Sequence, residues 1–153
     1  MKKVLSFVAF LFLTGFSQAQ SFNEKQALVQ EFLASMERKS LEGIANTLHE
    51  NVIQEMPFSP EWFPKKVDGK EELLQLFAPV AQNKSVKFIN LKLRNMVDKN
   101  VVLAEFEGRI TTADDIHYNN TYINLFTISE GKIIYIKEYF NPLILNQAFG
   151  PME

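Results

Sequence analysis

The sequence predicts one α+β domain, with short helices packed on one face of a curved, mainly antiparallel sheet. Three observations lead there. Apolar residues recur at helical spacing in three segments before Asn83, and they alternate from Val86 to Phe140. The breaks between the alternating runs, VDKN, TADD and SEG, carry the Asp, Asn and Gly of hairpin turns. Helices first and a meander afterwards give a helix layer against a sheet layer.

The first residues stand apart from that pattern. MKKVLSFVAFLFLTGFSQAQ has two lysines, an apolar run from Val4 to Phe16 and then Ser17-Gln18-Ala19, the form of a secretory signal cleaved after Ala19. The run is shorter than the roughly 20 residues that cross a bilayer. Residues 1–19 are therefore expected to be a signal peptide and residues 20–153 a single domain. That places the mature chain in a periplasm or outside the cell, with no stable membrane insertion after cleavage. The chain has no cysteine, so neither a disulfide nor a lipidated N-terminal Cys is available. A net charge of -2 offers no basic excess for phosphates, which argues against a nucleic-acid partner.

The elements follow in order. Asn23 caps a helix that sets Ala27, Leu28, Phe32, Leu33 and Met36 on one face. SLEGIANTLH makes a second, capped by Ser40, with Leu41, Ile44, Ala45 and Leu48 together. NVIQEM, residues 51–56, reads as a short strand. Three prolines in PFSPEWFPKK exclude a helix there, and the rings of Phe58, Trp62 and Phe63 require this loop to fold over something apolar. After the Asp68-Gly69 turn, KEELLQLFAPVAQ gives a helix over 70–82 that Pro79 ends or kinks. Four strands are then expected over 86–96, 101–111, 116–128 and 132–140. Asn141-Pro142 stops the last one, because proline cannot donate to the ladder, and an apolar tail closes on the domain.

Several strings carry a family likeness: ENVIQEMPFSPEWFPKKVDGKEEL, VVLAEFEGR, YNNTYINLF and GKIIYIKEYFNPLILNQAFG. With the element order, they resemble the SnoaL-like branch of the nuclear-transport-factor-2-like superfamily, which includes ketosteroid isomerase and the phenazine-biosynthesis A/B proteins. The resemblance implies a cone-shaped fold enclosing a pocket. It implies no single reaction, because one fold hosts many.

Side-chain alternation combined with the resemblance points Ile134, Ile136, Glu138 and Phe140 of the last strand inward. From the strand before it, Tyr118, Asn120, Tyr122, Asn124 and Phe126 turn the same way, and Phe106 joins them from the strand over 101–111. Glu105, Glu107 and Arg109 belong outside, on a face carrying Ile123, Leu125, Tyr135 and Tyr139 through which a homodimer is expected. The expected ligand-binding set is Phe58, Trp62, Phe63, Phe106, Asn120, Tyr122, Asn124, Phe126 and Phe140, with Trp62 in a lid. The expected ligand is a small hydrophobic or aromatic molecule.

Glu138 and Glu55 are the catalytic candidates, since a carboxylate in an apolar cavity gains a raised pKa suited to acid–base work. A hydrogen-bonded polar network around Glu138 accounts for the same residues without any reaction. Ketosteroid isomerase itself is a poor guide. The position matching its helix tyrosine is Phe32, which cannot donate to an oxyanion, and its late-strand aspartic acid matches Asn124. His49 and His117 are the only histidines, no metal-ligand spacing occurs, and no nucleophile elbow or phosphate loop is present, so no metal or cofactor is expected. A binding domain and an acid–base cyclase or isomerase both remain open on the sequence.

Overall fold

The computed structural model describes residues 23–151. The signal-peptide expectation for residues 1–19 lies outside them. Helix α1, residues 23–37, buries Val29, Phe32 and Leu33. Helix α2, Leu41–Thr47, begins where the Ser40 hydroxyl accepts from the Gly43 N–H at 3.0 Å. It is shorter than its apolar pattern suggests. The chain passes without a loop into strand β1, Leu48–Glu55, because Leu48 pairs with Ile133 of the last strand rather than continuing the helix. His49 thus lies on a strand, where its Nδ1 accepts from the Asn51 N–H at 3.0 Å.

A three-residue strand, β2 (Lys66–Asp68), pairs antiparallel with β1 at the end of the proline-rich loop. Helix α3, Lys70–Phe77, gives way to a 3-10 turn over Ala78–Gln82, with Pro79 in its first turn. Strands β3 (Ser85–Asn95), β4 (Val101–Thr111), β5 (His117–Ser129) and β6 (Lys132–Phe140) form the meander. The apolar tail is a helix, α4 (Pro142–Phe149). Asn141 caps it by accepting from the Leu143 N–H at 3.0 Å, and Pro142 occupies the first turn, where a missing N–H costs nothing.

The six strands lie in the order β2-β1-β6-β5-β4-β3 in one curved, unclosed sheet. All neighbours are antiparallel except β1 and β6, which run parallel, so the sheet is mixed. The helices cover its concave face. Phe32 meets Phe77 and Phe126 edge-on at 6.0 and 5.6 Å, joining α1 to α3 and β5. Glu105 pairs with Arg94 at 2.8 Å on the opposite, solvated face, as the alternation predicts. Strand β6 breaks the simple alternation at its start: a bulge opposite Thr127 and Ile128 buries Ile133 and turns Ile134 away from the core, reversing the expected assignment of those two. Beyond the bulge the phase holds, and Ile136, Glu138 and Phe140 face the helices. Among the described residues no helix is long and apolar enough to cross a membrane.

Candidate functional site

The concave face leaves two adjoining cavities, of about 340 and 120 Å³, which share Phe77, Val80, Tyr122 and Glu138 as walls. Strand β6 delivers Glu138 to this junction. Asn124 stands directly opposite it on β5, and the Asn124 Nδ2 donates to Glu138 Oε2 at 3.0 Å. Among the described residues no donor reaches the other carboxylate oxygen, which faces cavity space. Burial pushes the Glu138 carboxyl up to about 7, and the Asn124 bond opposes that rise without cancelling it.

Two tyrosines complete the polar part of the wall. The Tyr122 ring stacks on Phe106, centroids 5.1 Å apart and planes inclined by 16°. Gly108 permits this, because a Cβ there would lie 2.9 Å from the Tyr122 ring carbon Cε2. Burial raises the pKa of both Tyr118 and Tyr122, that of Tyr122 the more strongly, and the nearby Glu138 adds to the rise. Both hydroxyls are therefore protonated at neutral pH and able to donate, while that of Tyr118 also accepts from Asn120 Nδ2 at 2.8 Å.

Of the residues expected from sequence, Trp62, Phe63, Tyr122, Phe140 and Glu138 line the larger cavity, and Phe106, Tyr122, Asn124 and Glu138 the smaller. Trp62 also donates its Nε1–H to Asn146 Oδ1 at 2.8 Å, tying the proline-rich loop to α4 across the cavity. Four expected residues are elsewhere. Glu55 lies on the opposite face of β1, accepting from the Tyr135 hydroxyl at 2.6 Å, because Gln54 and Met56 take the inward positions. Phe58 is 61% exposed and packs on Tyr139 at 5.6 Å, its ring supported from outside the cavity. Phe126 is sealed in the core against Phe32. Asn120 points inward but is saturated: it donates to the Tyr118 hydroxyl and the Asn141 carbonyl and accepts from the Asn141 N–H, at 2.8, 3.0 and 3.0 Å. It anchors the start of α4 rather than a ligand.

Sequence reading missed Gln54, Met56, Leu145 and Phe149 as cavity walls. Alternation along Val52-Ile53-Gln54-Glu55-Met56 is the signal that could have found the first two, since Val52, Gln54 and Met56 share the buried side of this stretch. Leu145 and Phe149 sit on the unexpected helix α4, for which no comparable pattern exists. Among the described residues no cluster of three or more His, Cys, Asp or Glu is arranged to hold a metal ion.

The fold and cavity define a cone-like α+β domain that encloses a small-molecule-sized pocket. The chain belongs to the SnoaL-like domain family, whose model matches residues 29–136. Uncharacterized protein YesE of Bacillus subtilis is 26% identical over 132 residues, covering 84% of this chain and 89% of its own. A solved Bacillus subtilis structure described as a candidate isomerase superposes with a TM-score of 0.78 at 25% identity, over 86% of this chain and 97% of that one. A phenazine biosynthesis-related protein, PhzB2 of Pseudomonas aeruginosa, shares the fold with a TM-score of 0.70 at 16% identity, over 88% and 86%. The family match and the folds of these neighbours agree with the cone-like, pocket-enclosing architecture.

Proposed function

We propose that the chain is an acid–base enzyme that moves a proton on a small, largely apolar carbonyl or aromatic compound, with Glu138 as the proton carrier. One observation carries this reading: the Glu138 carboxylate is held at one oxygen by Asn124 and turns the other to open cavity, with a pKa of about 7. A group so poised is part acid and part base near neutrality. In proton abstraction next to a carbonyl, Glu138 takes the proton from carbon, the electron pair moves onto oxygen, and a Tyr118 or Tyr122 hydroxyl donates to the developing enolate. Returning the proton at another carbon completes an isomerisation. The isomerase description of the Bacillus subtilis neighbour supports the same class.

Exchange of the α-protons of 2-tetralone in heavy water, followed by NMR, tests this. The protein should accelerate exchange, and Glu138→Gln should lower the enzymatic rate by about a hundredfold or more. Equal rates in both proteins would remove Glu138 from any proton transfer. A binding domain without chemistry is the second reading. It is favoured by the Trp62–Asn146 bond, which fixes a cavity wall to α4 without involving a reacting group, and it predicts 2-tetralone binding with no exchange. The signal pattern of residues 1–19 supports export, and exposed Ile89 and Ile123 support a homodimer through the solvated sheet face. N-terminal sequencing of the mature protein and light scattering test those two points.

A further inference from the structure

We infer that Gln54 is a second polar anchor of the cavity and determines which ligands it prefers, selecting those with a hydrogen-bond donor at the end remote from Glu138. The inference rests on the reading of this cavity as a ligand site. Three buried side-chain oxygens find no donor among the described residues, Gln54 Oε1, Ser59 Oγ and Asn124 Oδ1, and two of the three belong to cavity walls. A buried polar atom without a partner is uncommon and requires a reason. Asn124 has one, because its amide nitrogen is committed to Glu138. Gln54 has none. The residue is 2% exposed and lines the larger cavity from β1, and none of the polar groups that share this lining donates to its amide oxygen.

Register sets its distance from the carboxylate. Gln54 pairs with Ile136 on β6, so Glu138 lies one strand over and two residues along, on the same face. A strand spacing of ~4.8 Å and a rise of ~3.3 Å per residue put the two Cα atoms about 8 Å apart. That is the span of a flat two-ring molecule rather than of a single functional group. A ligand engaged by Glu138 at one end therefore brings its other end to Gln54. Turning the Gln54 amide about its last bond brings the orphaned, now enclosed oxygen onto the cavity, where it accepts, so a hydroxyl or N–H at that end is matched and a bare ring is penalised.

Trp62, the only tryptophan of the chain, lines the same cavity and reports occupancy through its fluorescence. The probes are naphthalene, 2-naphthol and 2,6-dihydroxynaphthalene. The wild-type protein should bind the diol about tenfold more tightly than the mono-ol, the difference one neutral hydrogen bond makes. Gln54→Leu should abolish that preference, the diol losing about tenfold in affinity relative to 2-naphthol. Thermal melting provides a second measurement: replacing an unpartnered buried amide by an apolar side chain of similar size should keep or raise the Tm. A diol preference that survives Gln54→Leu would overturn the inference, as would a clear fall in Tm, which would mean the amide holds the fold instead. If none of the three probes binds, or if all still bind after Leu145→Trp fills the cavity, the reading of the cavity as a ligand site fails, and this inference with it.

Discussion

Glu138 is subject to two opposing influences, an apolar surrounding that favours its neutral form and an amide donor that favours its charged one. The first is the larger, so its pKa rises from 4.5 to about 7. Between those two values the folded protein holds a proton that the unfolded chain has released. The corresponding stability is fully present below about pH 4.5 and is lost as pH rises to about 7, amounting to at most about 3 kcal/mol. Melting temperature measured from pH 4.5 to 8 should therefore fall in the wild type and fall less in Glu138→Gln. Asn124→Leu removes the bond that opposes the shift, so the Glu138 titration followed by NMR should move to higher pH; an unchanged midpoint would show that Asn124 does not act on the carboxyl. At this scale the sequence reveals Glu138, because it is the one carboxylate in phase with an apolar strand face. It does not reveal Glu55's partner, since Tyr135 reaches it only through the pairing of β1 with β6. Nor does it distinguish Asn120 from Asn124: both are inward amides, and only the chain's return through Asn141 saturates the first.

Elements were legible where periodicity was long and hidden where it was short. Strands β4 and β5 alternate over eleven and thirteen residues, and their boundaries follow from the pattern. PLILNQAF is too brief and too apolar to display a helical face, and its proline reads as a stop although it serves as a helix start. The bulge in β6 is likewise silent in sequence, because Ile133 and Ile134 are the same residue type and only packing decides which is buried. Helix α4 is nonetheless what gives the cavity its outer wall, through Leu145 and Phe149. Asn141→Ala removes its cap and should cost about 1 kcal/mol in denaturant unfolding, without changing the slope. Asn146→Ala releases Trp62 from α4 and should raise the dissociation rate of 2-naphthol several-fold in stopped-flow fluorescence, with little change in Tm, because the bond is exposed. Equal dissociation rates would mean that the Trp62–Asn146 bond does not control passage in and out of the cavity.

At the scale of the whole molecule, the sheet separates two environments. The solvated face carries charge pairs such as Arg94–Glu105, and the concave face carries the aromatic walls and the Glu138 carboxylate. The α+β class and the cone-like enclosure could be read from helices followed by a meander, since each strand of the meander is local to the next. The parallel contact of β1 with β6 is the part no local pattern encodes. It joins the first strand to the last and sets Gln54 and Glu138 on neighbouring strands. Such long-range pairings close large loops and are slow to form. Until they do, Glu138 meets water and has the acidity of any free glutamate. The proton affinity of this one side chain is therefore a clock of folding, and a partly assembled chain, however much helix and hairpin it contains, has no acid of the kind the finished domain possesses.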